Sequence, residues 1–133
     1  MTTPTPKQID AILKHLPVLQ NPSLSVSKWH TGKDKDGTIS MPMEVHSPEV
    51  GSLVADLYKY EFVADFDWPS WQRSAEKYVE DSGRLQRATL GTLVKLLTTH
   101  VRKDRFCEGH FSEMVECGHI RAILERLAVL RAG

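Results

Sequence analysis

Leu90-Gly91-Thr92-Leu93-Val94-Lys95-Leu96-Leu97-Thr98-Thr99-His100-Val101-Arg102-Lys103 is the stretch that decides the fold. Leu90, Leu93, Val94, Leu97 and Val101 recur at helical spacing, so they share one apolar face from about Thr89 to Lys103. A helix with so broad a stripe must bury it against other helices. His100 falls at one edge of the stripe. Asp104 falls inside it if the helix continues, and Arg105 at the other edge. A charge at an apolar position needs a partner, because an unpaired buried charge costs several kcal/mol. The spacing offers His100 with Asp104 and Arg105 with Glu108; alternatively the helix ends near Arg102 and frees both.

Outward from this helix the same period recurs. Thr5-Pro6-Lys7-Gln8 reads as a helix start with a capping box, followed by Ile9, Ile12, Leu13 and Leu16 on one face. Pro17 is expected to stop that helix. Ser47-Pro48-Glu49 opens another, with Val50, Leu53, Val54 and Leu57 as its stripe. Asp67-Trp68-Pro69 opens a third that runs to about Ser82, with Gly83 as the breaker. Residues 108–117 form a short helix ended by Gly118. Ile120, Ile123, Leu124, Leu127 and Leu130 make the last stripe. Between residues 24 and 45 the period changes. Ile39, Met41, Met43 and Val45 alternate with polar neighbours, Pro42 restricts that strand to an edge, and Gly32 to Gly37 is a polar loop. This predicts a small β-hairpin. The Asp34/Asp36/Gly37 set is no calcium loop, because Met43 stands where the bidentate Glu belongs.

The expected fold is therefore mainly α: a single domain over residues 1–133, with about six helices and one hairpin. Residues 1–45 supply the first helix and the hairpin, and 46–133 the helical body. With 133 residues, 41% apolar and 26% charged, the chain can bury a real core. No stretch is apolar enough to span a membrane. The polar start, Met1 to Gln8, lacks the apolar run of a signal peptide, and two Cys are too few for a disulfide scaffold. These features point to a cytoplasmic protein with reduced thiols.

Formal charge is zero, but it is segregated. Residues 1–83 carry 8 Lys+Arg against 12 Asp+Glu, and residues 84–133 carry 9 against 5. Zero net charge argues against nucleic-acid binding, which draws on many cations. The basic C-terminal part suits an acidic peptide or a small anion, with Arg102, Arg105, Glu108 and His110 as the binding residues. A second reading makes the same region a small hydrolase or lyase, with His100, Asp104, Glu108 and His110 as acid–base groups. Cys107, His110, Cys117 and His119 are a soft donor set that could hold zinc. Their spacing matches no tight Cys-x-x-Cys knuckle, so neither metal nor cofactor is expected. Trp29, Trp68 and Trp71, with Tyr58 and Tyr60, read as packing anchors. No phosphate loop, dinucleotide fingerprint or Ser-His-Asp spacing is present. Val18 and Leu19, and Val129 and Leu130, extend past the stripes and could serve a homodimer.

Three motifs carry a resemblance. They are Phe66-Asp67-Trp68-Pro69-x-Trp71-Gln72, then Leu96-Leu97-Thr98-Thr99-His100-Val101-Arg102-x-Asp104-Arg105-Phe106, then Glu108-Gly109-His110 followed by Gly118-x-Ile120-x-x-Ile123-Leu124-x-Arg126-Leu127. Over residues 45–127 the chain resembles a family of short bacterial proteins of unknown function. The resemblance implies no activity, substrate or cofactor. It does imply that Arg102, Asp104, Arg105, Phe106, Glu108, Gly109 and His110 act as one unit, to which the two Cys do not belong.

Overall fold

The computed structural model describes residues 4–20, 27–30, 43–46, 48–107 and 109–132. These residues form one mainly helical domain. Its elements are α1 (Pro6–Leu13), α2 (Leu16–Leu19), β1 (Ser27–His30), β2 (Met43–His46), α3 (Pro48–Lys59), α4 (Trp68–Glu80), α5 (Ser82–Leu85), α6 (Leu90–Lys103), α7 (His110–Glu116) and α8 (His119–Ala132).

Helix α6 is the hub. Its residues from Leu96 to Val101 are all buried, and α4, α7 and α8 pack around it. Ile120, Ile123, Leu124 and Leu127 of α8 meet Leu93 and Leu97 in the same core, which Val50, Leu53, Leu57, Phe62 and Phe111 complete. On the far side of α8 lies α1, and Arg131 closes that contact with a paired hydrogen bond to Asp10 at 3.0 and 3.3 Å. Both groups are exposed, so this pair adds little stability.

Two caps fall where the sequence puts them, and α6 adds a third at Thr89. Thr5 and Gln8 form a reciprocal capping box, Asp67 accepts from the Ser70 amide, and Thr89 accepts from the Thr92 amide. Two breaks differ from expectation. Pro17 does not end a helix; it sits in the first turn of α2, where its missing N–H costs nothing. Gly83 is not the breaker of α4. Asp81 turns extended and ends α4 at Glu80, and its carboxylate then accepts from the Arg84 amide, so the short α5 starts with Gly83 inside it.

Strands β1 and β2 pair antiparallel, with Ser27 opposite His46 and His30 opposite Met43. The segment that would join them, with Pro42 and the Gly32 to Gly37 loop, lies outside the described residues, as does Ser47. Leu19 and Leu130 pack against the core, whereas Val129 is exposed. No helix among the described residues is long and apolar enough to cross a membrane.

The turn between α3 and α4 is pinned from below by Thr98. Its buried hydroxyl accepts from the Ala64 amide at 2.8 Å and donates to Val94 O at 2.8 Å, with Phe62 O at 3.2 Å. Thr98→Val keeps the shape but leaves the Ala64 N–H without its acceptor, which should cost roughly 1–3 kcal/mol. Urea unfolding checks this: an unchanged midpoint would mean the amide has found another partner.

Candidate functional site

Three histidines meet at the C-terminal end of α6. His100 lies in the last turn of that helix, and its side chain is buried under α7 and α8. Its Nδ1 is 3.0 Å from His110 Nε2, and its Nε2 is 3.1 Å from His119 Nε2. The His110 ring is tilted against His100 at 5.2 Å between centroids, and the His119 ring meets it edge-on at 5.0 Å.

Two glycines bring the outer rings there. Gly109 has φ 85° and Gly118 has φ 86°, left-handed values that suit glycine, and each reverses the chain just before a helix. His110 is the first residue of α7 and His119 the first of α8. The sequence announces this as two Gly-His pairs nine residues apart, Gly109-His110 and Gly118-His119. Asp104 follows α6 as its C-cap, and its carboxylate accepts from the Phe111 amide at 2.9 Å. That bond satisfies one of the unpaired N–H groups at the start of α7 and fixes its entry.

Burial governs the charge state of all three rings. It holds His100 well below the usual imidazole range, with His119, His110 and Lys103 adding repulsion. The end of a helix favours a cation, but desolvation wins at this depth. Burial lowers His119 to about 4, with repulsion from His110 in addition. His110 is also lowered, by burial first and Lys103 second, against smaller pulls upward from Glu113 and Asp104. All three are neutral near pH 7. A neutral imidazole gives one N–H and one acceptor, so three of them satisfy both contacts without a net charge.

His100 and His110 line a cleft of about 250 Å³, whose walls include Gln72, Glu76 and Glu80 of α4, Lys103 of α6, and Glu113 and Met114 of α7. His119 lines a second hollow of about 210 Å³ with Tyr78, Ser82 and Cys117, and Val79 borders both. A larger cleft of about 420 Å³, between Leu85, Gln86, Arg126 and Val129, has no histidine.

The structure thus brings His100 and His110 together and adds His119, which the sequence offered only as a zinc ligand. It does not pair His100 with Asp104, because both ring nitrogens of His100 go to histidines and α6 ends at Lys103. Arg105 turns to α3, where its guanidinium donates to Tyr58 Oη at 3.3 Å, and Arg102 and Arg105 both stand 6.0 Å from the Tyr58 ring centre. Neither lines the cleft beside His110. Glu108 lies outside the described residues. Cys107 and Cys117 are exposed free thiols, while His110 and His119 bond to His100, so the four-residue zinc set does not assemble. Among the described residues no group of three or more His, Cys, Asp or Glu is arranged to hold a metal ion.

The aromatic residues disperse. Trp68 lies on exposed Phe106, Trp71 stacks with Tyr78, and Tyr60 receives Lys14 and Lys59. A carboxylate-bound histidine does occur elsewhere. Buried His15 meets Asp56 at 2.6 Å, and that hydrogen bond holds the Asp56 carboxyl below its usual range. The two residues, at the start of α2 and in α3, are 41 apart in sequence, so no local spacing signalled the contact.

A model of a protein family described as a family of unknown function, DUF6508, matches residues 4–133. This extends the likeness seen in the motifs over the first helix. No curated protein and no solved structure matches the chain.

Proposed function

We propose, for a chain that belongs to the DUF6508 family of unknown function, that His110 is a general base at the head of the α4–α7 cleft and acts on a small polar substrate. The observation behind this is the 3.0 Å contact from His100 Nδ1 to His110 Nε2 beside an open cleft. One nitrogen of His110 is held by a buried partner, which fixes the ring and leaves the other for chemistry. A ring kept neutral near pH 7 can take a proton. The reaction class that fits is a small hydrolase or lyase: proton removal from the substrate, or from a water that attacks it.

The walls say more about the substrate. Among the described lining residues, Glu76, Glu80 and Glu113 meet Lys103 as the one fixed opposite charge, so the cleft favours a cation such as an amine and disfavours an anion. At about 250 Å³ it lies below the usual range of drug-sized sites, which restricts it to small molecules. Within the earlier acid–base set His110 is thus the base and His100 its positioning residue, while the Asp104 carboxylate bonds to the backbone of α7.

The test is turnover of small amino esters and amino amides, followed by proton NMR. His110→Gln retains a hydrogen-bonding amide for His100, so the fold should hold while the rate drops about 10²–10⁴-fold. An undiminished rate in that variant would remove His110 from the chemistry.

A second reading has its own observation. Arg102 and Arg105 converge on Tyr58 at the end of α6, with Arg105 exposed. Such a pair suits an acidic peptide or small anion. Arg105→Ala should abolish binding of a short oligo-glutamate peptide at low salt and leave the melting temperature nearly unchanged. Equal binding by parent and variant would sink this reading.

A further inference from the structure

We propose that His110, His100 and His119 form a proton relay that joins two separate hollows on the surface. The inference needs the ring contacts of the acid–base reading but no substrate or turnover. The central ring uses both nitrogens, one toward each neighbour, at 3.0 and 3.1 Å. A structural histidine needs only one such bond and a carbonyl or water for the other. Here the two bonds are in series, and the outer rings open on different hollows, His110 with Glu113 and His119 with Tyr78. Among the described residues no hydrogen bond takes Nδ1 of either outer ring, and no buried polar side-chain atom lacks a partner. The Nδ1 of each outer ring is thus the atom through which its own hollow would exchange a proton.

The proton count closes. In one state His110 Nε2–H donates to His100 Nδ1, His100 Nε2–H donates to His119 Nε2, and His119 holds its own proton on Nδ1. A proton arriving on His110 Nδ1 lets the Nε2 proton pass to His100 Nδ1. The His100 Nε2 proton then passes to His119 Nε2, and His119 releases its Nδ1 proton on the far side. The product is the mirror arrangement, with both hydrogen bonds reversed and every ring neutral. One proton has entered and one has left, and no electrons have moved. Reverse hops or ring flips restore the first state. Lys103, Asp104 and Glu113 surround the His110 end. The middle ring is the most deeply buried of the three, so passage through His100 is the slow hop.

The experiment is a long-range proton–nitrogen correlation spectrum of the full chain labelled with ¹⁵N, which reads the protonation of each ring nitrogen. A relay gives His100 two nitrogens with averaged shifts, each part protonated and part bare. His119→Phe should break the averaging and leave His100 with one protonated and one bare nitrogen. His110→Gln, at the more open end, provides a second interruption. A single fixed tautomer at His100 in the unaltered chain overturns the relay, whether or not either variant folds. If His110→Gln abolishes turnover while His100 shows a fixed tautomer, the acid–base reading stands and the relay does not. Averaged shifts in a chain without turnover leave the relay standing alone.

Discussion

Acidifying this protein from about pH 7 to about pH 4.5 should remove several kcal/mol of its stability, through histidines rather than carboxylates. Above the ordinary imidazole value of 6.5 the three rings are neutral in both folded and unfolded chains, and their contribution is complete. Below it, the unfolded chain takes up protons that the folded chain refuses, so stability falls with pH. For His119 the loss continues down to about 4, where the folded ring itself protonates. That interval corresponds to about 3 kcal/mol for this ring alone. His100 is deeper and is lowered well below 6.5, so it adds to the loss. Half-buried His110 adds a smaller, solvent-screened share. Asp56, the one lowered carboxylate among the described residues, starts from 3.8, so its own loss falls beneath this window. A domain of this size has only about 5–15 kcal/mol in total, so part of the population should be unfolded by the end of the titration. Urea midpoints followed by circular dichroism at four or five pH values would show it. A flat profile across the interval would mean the rings carry charge in the native state.

Much of this architecture was legible in the sequence, where local rules sufficed. The α6 stripe, the Thr5/Gln8 box and the Asp67 cap depend on residues three or four apart, and each appears where the spacing puts it. The site was half legible. His100 stood out as a polar group beside an apolar face, which is a local feature. Its partners could not be chosen the same way. Asp104 at i+4 was the nearest local answer, but α6 stops one residue short of it and the Phe111 amide claims its carboxylate. The actual partners are 10 and 19 residues away and depend on how α7 and α8 turn back across α6. Arg105 likewise finds Tyr58, 47 residues upstream. The repeated Gly-His pair was the signal that could have joined His110 to His119. It has force only once both glycines are taken as left-handed turns that deliver the next residue to one place.

Whether the histidine row exists for stability or for chemistry can be decided by removing it in two ways. His100→Ala should cost about 3 kcal/mol or more, since it opens a cavity and strips a partner from two rings at once. Replacing His100, His110 and His119 together with Leu should behave oppositely. No imidazole is left unsatisfied, the side chains are of similar bulk, and the site is walled by Ala75, Val79 and Met114 on one side. Buried polar clusters replaced whole by apolar residues of similar volume are often neutral or stabilising. The triple variant should therefore unfold within about 1 kcal/mol of the parent or at higher urea. It should also lose most of the acid sensitivity between pH 6.5 and 4, since the groups responsible are gone. A stable, acid-resistant triple variant without turnover would show that folding does not need the row, and that its cost at low pH is borne for proton chemistry. A triple variant as unstable as His100→Ala would show instead that the rings hold α6, α7 and α8 together, and the acid–base assignment of His110 would lose its main support.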